Sequence, residues 1–219
     1  KASAYNALAK SGDPLAYSIL MKAAKSFSFG WERSGATSAL LDYARVCGRE
    51  SNIKTADKIC KLLILKCNDN LNLQNKIAAL EIYIDLHGSE AMPEILQAAA
   101  HSNNKYRNAA INISASIQDQ IVVKKWIEYF PEAIPEAKPE IIRMLGVRGD
   151  EAALPLITSS LSNSDGQVRQ AAAEALAKVS GRNASPFLIS YMTKYSETVD
   201  QEAAAKAFKS VEGNEEVAH

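Results

Sequence analysis

Cysteine, histidine and aromatic side chains are scarce in this chain and net charge is absent, and each shortage removes a class of function. Cys47, Cys60 and Cys67 are too few and too irregularly placed for a disulfide framework or a zinc cluster, both of which need pairs at fixed spacing. Cys60 and Cys67 lie seven residues apart on an expected helix, hence on one face, where they read as core filling. Of the three histidines, His87, His101 and His219, none stands in a His-x-x-x-His or His-Glu arrangement, so no metal site is expected. There is no glycine-rich phosphate loop, no Gly-x-Ser-x-Gly and no nucleophile beside a base, so no catalytic residue and no cofactor is expected. The 25 Lys+Arg balance 25 Asp+Glu, which leaves no overall field to gather nucleic acid or an anionic membrane. The balance is uneven along the chain, with 14 basic and 10 acidic residues up to position 110 and 11 and 15 beyond it. No apolar run approaches the roughly 20 residues of a membrane span.

Small and aliphatic side chains are what the chain has in quantity: hydrophobic residues make up 47% of it and aromatics only 7%, a mixture that suits closely packed helices. The pattern is repeated. Residues 169–181, with a run of alanines, then Leu176, Val179 and Gly181, match residues 201–213 at an offset of 32. Residues 76–88 fit the same template 93 positions upstream of 169–181, which is three periods of 31. A basic residue opens four of these segments at strict spacing, as Lys76, Arg107, Lys138 and Arg169, and Gln201 breaks the series. Two apolar columns run through the repeats, Ala79, Ala110, Ile141, Ala172, Ala204 and Ile82, Ile113, Met144, Ala175, Ala207. They stand at i and i+3, which puts both on one buried stripe of a helix.

Pro93, Pro155 and Pro186 mark the starts of the preceding helices, where a missing N–H costs nothing. Gly12, Gly48, Gly88, Gly149, Gly181 and Gly213 suit helix stops, and the acids of Gly12-Asp13 and Gly149-Asp150 suit caps of the next helices. His87 falls at such a helix end, where a cation-capable group is favourable. The expected helix pairs are 14–25 with 32–47, 52–67 with 72–87, 90–101 with 104–117, 119–130 with 136–147, 151–161 with 166–179, and 184–195 with 199–211. The expectation is one all-α domain over residues 1–219, cut from a longer protein, because it opens inside a helical pattern and ends at Asn214 to His219 with a repeat barely begun. The compartment stays open, with secretion and the periplasm among the options.

The segment from Met144 to Ile157, continued by Leu161, Asp165, Val168, Arg169 and the alanine run, resembles the phycobilisome-lyase type of HEAT repeat, most clearly over residues 141–181. The resemblance implies a right-handed α-α superhelix, here of about six antiparallel helix pairs, with first helices convex and second helices concave, that serves as a binding surface. It also implies a contact between Asp165 and Arg169 inside one repeat. The resemblance thus makes Lys76, Arg107, Lys138 and Arg169 a structural ladder with Asp165.

Three readings of function fit these features. The leading one is a non-catalytic protein-interaction scaffold, whose partner is another protein or a flanking domain of the parent chain, such as a sugar-active hydrolase. The second is a bilin-lyase-like enzyme or chaperone that holds a ligand on the concave face. The third, nucleic-acid binding as in HEAT-like DNA glycosylases, would stack bases on Trp31, Trp126, Tyr129 or Phe130, but neutral charge opposes it, and Trp126 with Tyr129 and Phe130 reads as packing. The unusual stretch is the connection from Ser26 to Trp31, whose Phe27, Phe29 and Trp31 suit either an interface or a cover over the end of the stack. Oligomeric state is not legible.

Overall fold

In a computed structural model that describes residues 2–68 and 70–213, helices carry the fold, and no strand occurs among the described residues. Asn214 to His219, which the sequence marks as the start of another repeat, lie outside the described residues. The chain divides into two compact units, residues 2–94 with 101–110 and residues 95–100 with 111–213.

In the first unit, α1 (Ala2–Lys10), α2 (Pro14–Ser26), α4 (Ile53–Lys66) and α5 (Leu73–His87) all pack on α3 (Ala36–Arg49). The start of α2 is set by Asp13, whose carboxylate accepts the Leu15 N–H at 2.8 Å, and by Pro14 in the first turn. α3 starts four residues later than the periodicity predicts. The cause is Glu32, whose carboxylate accepts the N–H groups of Ser34 and Ala36 and holds the chain in a turn before the helix. Gly48 does not stop α3, contrary to the sequence reading. It lies inside the helix, where a Cβ would stand 2.3 Å from Leu86 of α5, so its role is close helix approach.

α6 (Met92–Ala99) and α7 (Asn104–Ser114) contribute residues to both units. The second unit continues with α8 (Gln120–Tyr129), α9 (Lys138–Arg148), α10 (Leu154–Ser160), α11 (Gly166–Ser180), α12 (Ser185–Lys194) and α13 (Thr198–Gly213). α11 packs between α9 and α13, α10 lies on α11, and α12 on α13. Short 3₁₀ turns lead into α6, α9, α10 and α12, and Pro93, Pro155 and Pro186 each stand second in their helix. The expected columns are the core: Ala79, Ala110, Ile141, Ala172 and Ala204 are buried, as are Ile82, Met144, Ala175 and Ala207, with Ile113 half-buried.

Alanine and glycine in these columns set how close the helices come. A Cβ on Gly146 of α9 would stand 2.6 Å from the Ala175 Cβ and 2.7 Å from its Cα on α11. Elsewhere in a helix, Gly→Ala stabilises by about 1 kcal/mol. Gly146→Ala is expected to do the reverse and destabilise by about 1–3 kcal/mol through overpacking, measured as a lower urea midpoint at unchanged slope.

Polar residues lock the helix ends. Gly149 stops α9 in the left-handed region at φ 73°, as expected, but Asp150 does not cap the next helix. Its carboxylate pairs with Arg148 Nε at 2.7 Å and accepts from Gln120 at 2.8 Å. The buried Arg148 guanidinium also donates to the carbonyls of Ala115 and Ile117, just past the end of α7.

Candidate functional site

The connection between α2 and α3 is held by hydrogen bonds with α2, α3 and the start of α5. Ser28 and Phe29 take φ of 51° and 58°, a region that non-glycine residues seldom enter. The surroundings hold them there. Phe29 N–H donates to the Ala24 carbonyl at 3.0 Å, and Asn72 and Asn75, at the start of α5, donate their side-chain amides to the Ser28 and Phe29 carbonyls, each at 2.8 Å. Thr37 donates to the Gly30 carbonyl at 3.3 Å. Trp31 thus sits between a backbone tied by Asn72, Asn75 and Thr37 and the Glu32 cap. Hydrogen bonding also holds the Glu32 carboxyl below the usual carboxylate range, first through the Ser34 side chain and then through backbone amides of Ala36, Ser34 and Gly35.

This arrangement separates three aromatics that the sequence grouped. Phe29 is buried, at 6% exposure, and fills core, which removes it from the candidate contacts. Phe27 and Trp31 face solvent at 47% and 85%. Leu71, also exposed, stands beside Asn72 on the connection tied to Ser28. The two asparagines were not singled out in the sequence, because nothing local marks a side chain whose partner lies 44 or 46 residues away.

Three of the basic residues that open second helices, Arg107, Lys138 and Arg169, bond carbonyls that precede their own helix. Arg107 donates to the His101 carbonyl at 2.9 Å and Arg169 to the Asn163 and Ser164 carbonyls at 3.2 and 3.1 Å, in each case the turn just before its own helix. Lys138 reaches the Pro131 carbonyl at 3.2 Å, and Lys76 lies 4.7 Å from the Tyr106 ring centroid. Gln201 breaks the series in charge but not in role, since its amide donates to the Tyr195 and Met192 carbonyls at 2.5 and 2.7 Å. Asp165 is not the carboxylate partner of Arg169. It caps α11 by accepting the Gln167 N–H at 2.8 Å, and the Arg169 guanidinium instead meets Asp200 of α13 at 2.7 Å. Asp200 is fully buried and also accepts the Tyr191 hydroxyl. Burial alone would raise its carboxyl, but the hydrogen bonds from Arg169 and Tyr191 and the Arg169 charge outweigh it and hold the group below the usual range. Burial, then the bond to Asp200, pushes the Tyr191 phenol up.

Solvent-facing charges on second helices form a second series five residues further on. Arg45 approaches Glu81 at 3.8 Å in the first unit. In the second, Arg143 lies 3.8 Å from Glu174, and Glu174 lies 3.1 Å from Lys206. Within each unit these charges are matched between successive helices, and in the second unit the depression between α9, α11 and α13 is about 220 Å³. His87, the last residue of α5, is bonded to Asp57 at 2.6 Å and its ring lies tilted against Tyr83, centroids 4.4 Å apart. All three cysteines are buried and free, and burial pushes the Cys60 thiol up to about 12 and Cys67 to about 11, so they present no ready nucleophile. No group of three metal-ligating side chains occurs among the described residues.

The family model described as HEAT repeats matches residues 123–209. No curated protein matches the chain.

Proposed function

We propose that the chain is a non-catalytic interaction scaffold whose contact is the α2–α3 connection, a reading supported by the match of residues 123–209 to HEAT repeats, a class that commonly scaffolds protein interactions. The partner is a second protein or another domain of the same parent chain. One observation carries this reading: Trp31 stands 85% exposed on a backbone that Asn72, Asn75, Thr37 and Glu32 hold in place. An exposed tryptophan on a held backbone loses less entropy on binding than one on a mobile loop and brings a large apolar area, a property that makes tryptophan prominent in interface energetics. The run from Met144 to Ile157 supports the phycobilisome-lyase subtype, while Arg169 pairs with Asp200 in place of the Asp165 contact that the subtype implies.

Trp31→Ala is expected to weaken partner capture by at least about 30-fold, the ~2 kcal/mol of an interface hot spot, and to change unfolding free energy by less than about 0.5 kcal/mol. Capture is read by quantitative pull-down and stability by urea denaturation. Phe29→Ala serves as the contrast, because it should lower stability first. Full capture by the Trp31→Ala protein would place the contact elsewhere.

A further inference from the structure

The first unit has a face of one charge. α2 and α4 together carry six lysines, Lys22, Lys25, Lys54, Lys58, Lys61 and Lys66, against one carboxylate, Asp57, which is engaged with His87. Of the described acids in the connections flanking these helices, Asp13 and Glu32 turn oxygens to backbone amides, and Glu50 stands exposed ahead of α4. All six lysines are exposed, and none has a carboxylate partner among the described residues. On α4, Lys54, Lys58, Lys61 and Leu65 recur at i, i+4, i+7 and i+11, one stripe opposite the buried Ala56, Ile59, Cys60 and Leu63. On α2, Leu15, Ile19 and Lys22 recur at i, i+4 and i+7, opposite the buried Ala16, Leu20 and Ala24. Leu15 and Leu65 are 72% and 75% exposed. The two helices are neighbours that both pack on α3, with Lys58 Nζ 5.2 Å from the Tyr17 ring centroid.

We infer that this α2–α4 face docks on the surface of an anionic lipid bilayer. Flexible lysines meet mobile headgroups, and the aliphatic tips between them enter the acyl boundary, a division of labour that interfacial helices use. Nucleic acid would leave Leu15, Ile19 and Leu65 against phosphate or water and would favour the bidentate fork of arginine, which neither helix carries. An acidic protein would need a contiguous apolar anchor, and here lysines interrupt the apolar residues. Zero net charge over the chain does not oppose the attraction, since at physiological salt charges beyond about 8 Å are largely screened. The contact is peripheral: among the described residues no helix is long and apolar enough to span a membrane.

The test is co-sedimentation of the chain with vesicles of phosphatidylcholine alone and of phosphatidylcholine mixed with phosphatidylserine. The expected result is salt-sensitive binding to the mixed vesicles and little to the neutral ones. Lys22→Gln with Lys54→Gln, at unchanged melting temperature, lowers the partition coefficient about 30-fold, two charges at about 1 kcal/mol each. Leu65→Ser lowers it while leaving its salt dependence intact. Equal partition into both vesicle types, or no effect of the double lysine variant, overturns the inference. So does absence from both pellets alongside retention on poly-glutamate or retardation of DNA, which would assign the face to an acidic protein or to nucleic acid. None of these outcomes bears on Trp31, so the scaffold reading stands or falls separately.

Discussion

Arg169→Ala lowers the unfolding free energy by about 3–5 kcal/mol, the cost of leaving one member of a buried ion pair alone. Asp200 is fully buried and the Arg169 side chain nearly so, and the two meet through Nη2 at 2.7 Å and Nε at 3.3 Å. Removing the guanidinium also strips the Asn163 and Ser164 carbonyls of their donor and takes away the cation stacked 4.2 Å from the Tyr195 ring centroid. The double variant Arg169→Ala with Asp200→Ala loses less than the sum of the single changes, because no charge is then left stranded. The pair has a pH signature. Asp200 is held below its ordinary value of 3.8, so the unfolded chain binds the proton more readily. The stability it contributes is whole above about pH 4, near the unfolded-state value, and is lost as pH falls through the depressed native value. Asp200→Asn removes that part of the acid limb, which urea titrations at neutral and acid pH will show. A loss below about 1 kcal/mol in Arg169→Ala would mean that the pair is not a lock between α11 and α13.

Trp126→Ala costs about 3–5 kcal/mol by opening a large cavity in α8's contact with the core. The indole is completely buried, its Nε1 donates to Ser114 Oγ at 3.0 Å, and the Ser114 hydroxyl in turn donates a hydrogen bond to the Ile111 carbonyl at 2.6 Å. Trp126→Phe keeps most of the volume and loses the indole hydrogen bond, so about 1 kcal/mol is expected of it beyond the smaller void. The ordering, with alanine far below phenylalanine, is the check. Equal losses would assign the residue's worth to the hydrogen bond and not to packing.

These two effects differ in how far the sequence announces them. Trp126, with Tyr129 and Phe130, already reads as packing, since a large aromatic at helical spacing in a small-residue repeat has few other places to go. Asp200 stays hidden: it is an acid one position before Gln201, and only the register of α13 on α11 shows that it meets a residue 31 positions earlier. Local signals lead to local answers, as at Asp13, which caps its own helix. They mislead where a neighbouring repeat competes for the same group: Asp150 is taken by Arg148 and Gln120, and Gly48 is needed to admit Leu86. The spacing of Lys76, Arg107, Lys138 and Arg169 was legible, but the tying down of the preceding turn by Arg107, Lys138 and Arg169 is a property of donors and carbonyls in space, and Gln201 performs it without a charge. The aromatic connection was visible as a cluster, and only backbone geometry divides it into an inward Phe29 and an outward Phe27 and Trp31.

That a rigid helical frame presents Trp31 to a partner is tested most directly by a photo-crosslinking side chain placed at position 31 in the cells that make the protein. A second preparation with the same group at Phe187, an exposed apolar position in the second unit, is the control. The expected result is a discrete protein adduct from position 31 that is absent from position 187. No adduct from 31, or the same smear of products from both, would contradict the presentation of Trp31 to a partner.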